Sequence, residues 1–143
     1  MMRIHLKIDV RMIRLLLALF HLSLAAVSLW RHNMVEIIPG YAGFAAVAPT
    51  TTWGFLATII ATGLLFIKRG TPLLVVWQFF SATYFVTFST LVSAVYGITW
   101  GTAAYLFPAI MSYIVMWGTL EEVFESNTLM SGVRAKIIGR RDV

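Results

Sequence analysis

Apolar residues in this chain come in long unbroken runs, without the two-residue alternation of a half-buried strand or the one-sided stripe of a soluble helix. The first run is Leu15 to Trp30 and the second is Thr52 to Ile67, 16 residues each. Each makes about 24 Å of helix, somewhat short for a hydrocarbon core of about 30 Å. A third stretch, Gly70 to Leu120, holds no Asp, Glu, Lys or Arg. It is too long for one span and has a natural break at Gly97-Ile98-Thr99-Trp100-Gly101, two glycines around an aromatic residue suited to the membrane interface. The pattern predicts an all-α fold, a polytopic transmembrane four-helix bundle with spans 15–30, 52–67, 73–96 and 102–120.

The basic residues orient these spans. Arg3, Lys7, Arg11 and Arg14 precede the first; Lys68 and Arg69 lie between the second and third; Arg134, Lys136, Arg140 and Arg141 follow the fourth. With four spans all ten fall on one side, and only Arg31 falls on the other. Lys and Arg concentrate on the cytoplasmic side of membrane proteins, so both termini are expected there, in a bacterial inner membrane. Arg14, Lys68 and Arg69 would snorkel to the lipid head groups, and Trp30, Trp53 and Trp100 would anchor span ends at the interface.

The connections carry their own signals. In Lys68-Arg69-Gly70-Thr71-Pro72, Gly70 suits a helix C-cap, Thr71 an N-cap and Pro72 a first helical position, so spans two and three should form a tight antiparallel hairpin. Pro108 should bend span four. The loop 31–51 is apolar and broken by Gly and Pro; it reads either as a short interfacial element held by Tyr41 and Phe44, or as a re-entrant segment lining a pore. In the leader 1–14, Ile4, Leu6, Ile8, Val10 and Met12 alternate with polar residues, the period of a strand. That strand would need a partner from another chain; otherwise the segment is an irregular basic leader. No small-x-small cleavage site follows Trp30, which argues for a retained first helix. The basic tail 121–143 should carry a helical turn or two through Glu121, Glu122 and Glu125, and Asn127 and Gly132 should then loosen it.

Composition narrows the function classes. The chain is 59% hydrophobic and 12% charged, against about 25% charged for a soluble domain. A net charge of +5 could suggest nucleic acid, but its placement at span ends suits anionic lipid instead. Without cysteine there is no disulfide or thiolate chemistry.

Inside the spans, His21 is the sole imidazole. Ionisable groups in lipid are functional candidates. Either His21 is neutral and hydrogen-bonded to a hydroxyl on another span, or it ligates a haem with a symmetric copy, since no second intramembrane histidine exists. Span three is rich in hydroxyls, and Ser89, Ser93 and Gly97 recur every four residues, as do Ala57 and Ala61 on span two. Such ridges serve close helix packing or an oligomer contact; the hydroxyls could alternatively wall a water path. No catalytic constellation, metal motif or intramembrane carboxylate is present, so an enzyme, a cofactor protein or an ion-coupled transporter is not expected.

The basic leader, a first span ending at Trp30, the apolar Pro/Gly loop, Trp53-Gly54 opening span two and the Lys68-Arg69 hairpin together resemble the layout of small four-span membrane proteins encoded by tailed phages. The resemblance implies holin-like lysis or exclusion of competing phages, and carries no functional residues with it. The reading is a non-enzymatic membrane protein whose partners are the lipid bilayer and either further copies of itself or a larger membrane protein, with no nucleic acid. The alternative is the membrane-anchor subunit of a redox complex, with His21 as haem ligand.

Overall fold

The computed structural model describes residues 10–33, 37–38 and 41–138, with 127–138 as helical backbone. Its elements are α1 (Val10–Trp30), α2 (Ala42–Val47), α3 (Thr50–Phe66), α4 (Pro72–Tyr96) and α5 (Trp100–Ile138). No strand occurs among the described residues. Three helical segments, Val10–Trp30, Pro72–Tyr96 and Trp100–Ser126, are long and apolar enough to cross a membrane; α3 is apolar but shorter.

α1 begins five residues before the apolar run predicts. Its 21 residues make about 31 Å, so this span is not short after all. Val10 to Met12, the end of the expected alternating strand, are helical; the rest of that strand lies outside the described residues. Helical spacing prevails because Val10, Ile13 and Leu17 share one face of α1. Ile13 and Leu17 pack into the core, and Val10 reaches Gly118 on α5.

The helices assemble as two antiparallel hairpins. α1 packs along α3, and α4 along α5, while α1–α5 and α3–α4 contacts are sparser. The expected tight pairing of spans two and three is therefore corrected: their turn is short, but each packs chiefly on its other neighbour. Small residues explain the choice. Ala18 and Ala25 on α1 and Ala57 and Ala61 on α3 are buried. At Gly54 a Cβ would lie 3.1 Å from Ser28 Cβ and Leu29 Cγ, so the α1 and α3 backbones come close. Between α3 and α4, by contrast, the Trp77 indole occupies the space over Gly63 and donates through Nε1 to Ile60 O at 3.1 Å.

The turns differ from expectation in detail. α3 ends at Phe66 with Ile67 as its C-cap, so Gly70 does not cap the helix; it takes the left-handed turn position, φ 69°, which glycine adopts without strain. Thr71 is the N-cap of α4 and Pro72 opens the helix, but the Thr71 hydroxyl donates back to Lys68 O at 2.8 Å instead of capping. α5 starts at Trp100 rather than 102 and runs through Pro108 to Ile138. The loosening expected at Asn127 and Gly132 does not occur. The packed span supplies the helix nucleus, and each added residue then costs little.

Aromatic side chains fill the end of the bundle nearest α2. Phe44 is fully buried, with ring centroids 5.5 Å from Trp53 and 4.3 Å from Phe88. Tyr84 stacks on Phe88 at 4.7 Å and donates its hydroxyl to Trp53 O at 3.2 Å. The loop element thus turns Phe44 into the protein, not toward lipid.

Candidate functional site

The polar side chains of the bundle point inward. α1 contributes His21, α4 contributes Gln78, Ser81 and Ser89, and α5 contributes Thr102, Ser112 and Thr119, all buried. At mid-bundle His21 Nε2 and Ser81 Oγ share a hydrogen bond of 2.9 Å, and Ser81 Oγ shares another of 2.9 Å with Ser112 Oγ. Three helices from both hairpins are joined by this chain. The His21 ring also packs against Phe85 at 4.4 Å and Tyr84 at 5.0 Å. One turn from Ser81, Gln78 is fully buried, and neither its amide atoms nor His21 Nδ1 has a partner in the protein.

These distances bear directly on haem. A haem ligand needs a free ring nitrogen facing a space for the macrocycle. Here Nε2 is engaged by Ser81, and two aromatic rings close on an imidazole without solvent exposure. As arranged, the residues around His21 do not fit a haem, and a symmetric copy could not reach the ring. No group of three or more His, Asp or Glu residues suited to a metal occurs among the described residues.

The small ridge of α4 faces α5 within the same chain. Ser89 donates to Thr102 O at 3.1 Å, and Ser93 to Thr102 Oγ1 at 3.0 Å. Thr102 in turn donates to Gly97 O at 3.1 Å, across the turn joining the two helices. Ala57 and Ala61 are likewise buried within the bundle. Of the three tryptophan anchors, Trp30 and Trp100 are 85% and 92% exposed, whereas Trp53 is 7% exposed. Trp53 is thus corrected from lipid anchor to core residue: its Nε1 donates to Ala48 O at 3.1 Å and ties down the end of the loop.

At the opposite end the cations are organised. Arg69 forms an ion pair with Glu122 at 2.5 Å, and Arg14 Nη1 donates to Ile67 O at 3.3 Å, at the C-terminus of α3. Lys68 is exposed beside them. Sequence reasoning missed the Arg69–Glu122 pair, although Glu121 and Glu122 are the first acids after the charge-free stretch and would meet the Lys68-Arg69 turn in any antiparallel α4–α5 arrangement. It also missed Ser112 as the partner of Ser81, because a lone serine in an apolar span carries no periodic signal.

Two open apolar grooves run along the sparser seams. One, about 340 Å³, lies between α3 and α4 beside Trp53, Trp77 and Tyr84; the other, about 360 Å³, lies between α1 and α5 beside Phe20, Phe107 and Pro108. The site is therefore a pair of hairpins pinned at the centre by hydrogen bonds and grooved on both flanks. No family model, curated protein or solved structure matches the chain.

Proposed function

We propose that the chain is a non-enzymatic inner-membrane protein with four spans, α3 included, and both termini in the cytoplasm, and that it acts by associating with copies of itself in a holin-like way. The observation that carries this reading is its inside-out polarity. Leu16, Phe55, Phe66, Phe79, Phe107 and Trp117 point outward, while hydroxyls, imidazole and amide lie within. In water that exterior would aggregate; in lipid it is the solvated surface. The ten-to-one division of basic residues supports the orientation.

Association follows from the seams. α3, with 17 residues, makes about 25 Å of helix, which leaves it mismatched to the bilayer, and assembly relieves mismatch. Hairpins joined by a few central hydrogen bonds can exchange those bonds for contacts with another copy, turning hydroxyls toward a shared aqueous space. The layout resemblance to small tailed-phage membrane proteins supports the same role. The test is controlled expression in a bacterial host with a membrane-potential dye, together with mass measurement in lipid nanodiscs. Depolarisation with a mass above one chain is the expected result. A strict monomer that leaves the potential intact would reject the proposal.

A further inference from the structure

The geometry points to a binding site for one anionic glycerophospholipid, formed by Arg11 and Arg14 of α1 against the end of α3. This inference rests on the membrane reading above. A pocket of about 180 Å³ is lined by Arg11, Arg14, Leu15, Leu64 and Leu65. One wall is cationic and the other apolar, the two chemistries that meet at a phospholipid's phosphate and upper acyl chain. The pocket lies at the mouth of the α1–α3 pair, where the Arg14 guanidinium is held by Ile67 O at 3.3 Å. That bond leaves the remaining guanidinium donors of Arg14 for a second acceptor, and fixes the group in place before a ligand arrives.

The local charge balance calls for an anion. Arg14 lies within electrostatic reach of Arg11 and Arg69, which repel it, and of Glu122, which attracts it. Glu122 is already paired with Arg69, so one carboxylate faces three guanidiniums. A phosphodiester between Arg11 and Arg14 removes that repulsion with charge-assisted hydrogen bonds. Leu65 and the exposed Leu15 offer the acyl chain a path toward the bilayer. An inorganic phosphate would satisfy the arginines but leave the leucine wall unused.

The experiment is native mass spectrometry of the full chain released from nanodiscs of equal phosphatidylglycerol and phosphatidylcholine. One phosphatidylglycerol should stay bound, preferred by about fivefold for each arginine. Arg11→Gln should remove about fivefold of that preference, Arg11→Lys should keep most of it, and Arg31→Gln at the other end should leave it unchanged. Because Arg14→Gln also breaks a structural bond, Arg11 is the deciding position. Equal retention of the two lipids, or retention unaffected by Arg11→Gln, overturns the site. Displacement of the lipid by millimolar inorganic phosphate also overturns it, in favour of a free-anion site. Cysteine labelling of the same preparation reads topology separately, so lost lipid preference with intact topology removes this site alone.

Discussion

Ser81 has two hydrogen-bond partners and Ser112 has one in the central chain. Removing the Ser81 hydroxyl therefore orphans both His21 Nε2 and Ser112 Oγ, whereas removing that of Ser112 leaves the His21–Ser81 bond intact. Interhelical hydrogen bonds in membranes average about 0.6 kcal/mol and reach about 1.7. Ser81→Ala should cost about 1–2 kcal/mol and Ser112→Ala about half of that, measured by thermal or steric-trap unfolding in lipid. Equal costs would mean that the chain does not act as a unit. The ion pair on the surface should behave differently. With Arg69 46% and Glu122 37% exposed, Glu122→Gln should shift stability by less than about 1 kcal/mol, and less still at high salt.

At the scale of elements, Gly63 and Trp77 make the cleanest test. A side chain at Gly63 would overlap the Trp77 indole, so Gly63→Leu should destabilise by about 2 kcal/mol or more through overpacking. Gly70→Ala meets no neighbour and pays only for its positive φ, about 1 kcal/mol. Trp77→Ala combined with Gly63→Leu should recover part of the loss, and a double-mutant cycle of unfolding free energies reads that coupling. The elements show where sequence reasoning succeeds. Apolar runs longer than any soluble helix needs located all four long helices, because lipid leaves the backbone no alternative partner. Ala57 and Ala61 announced close packing through their spacing alone. The pairing of helices was not legible, since a short turn at Gly70 brings α3 and α4 together in sequence without deciding which faces are small. Nor was the role of Trp53, which interfacial statistics send to lipid but which Phe44, Phe88 and Tyr84 enclose. A residue that enters the core from a loop, as Phe44 does, leaves no periodic trace. The helical start at Val10 was hidden by a competing period of two.

For the molecule as a whole, topology is the deciding measurement. Lys68 is exposed in the turn between α3 and α4, and Val47 is 66% exposed at the end of α2. With all four long helices crossing the membrane, Lys68→Cys reacts with an impermeant thiol reagent only from the cytoplasm and Val47→Cys only from outside. Reaction of both from one side would leave α3 lying against the membrane and return the count to three spans.

The length of α5 has mechanical consequences. Its 39 residues extend about 58 Å, nearly twice the hydrocarbon core. From Ser112, where the central chain pins it, to Ile138 is about 39 Å of continuous helix. A tilt of about 10° at that pin would carry the far end through about 7 Å, given a rise of 1.5 Å per residue. Any rearrangement of the hairpins in the plane of the lipid is thus delivered, magnified, to the aqueous compartment where α5 ends.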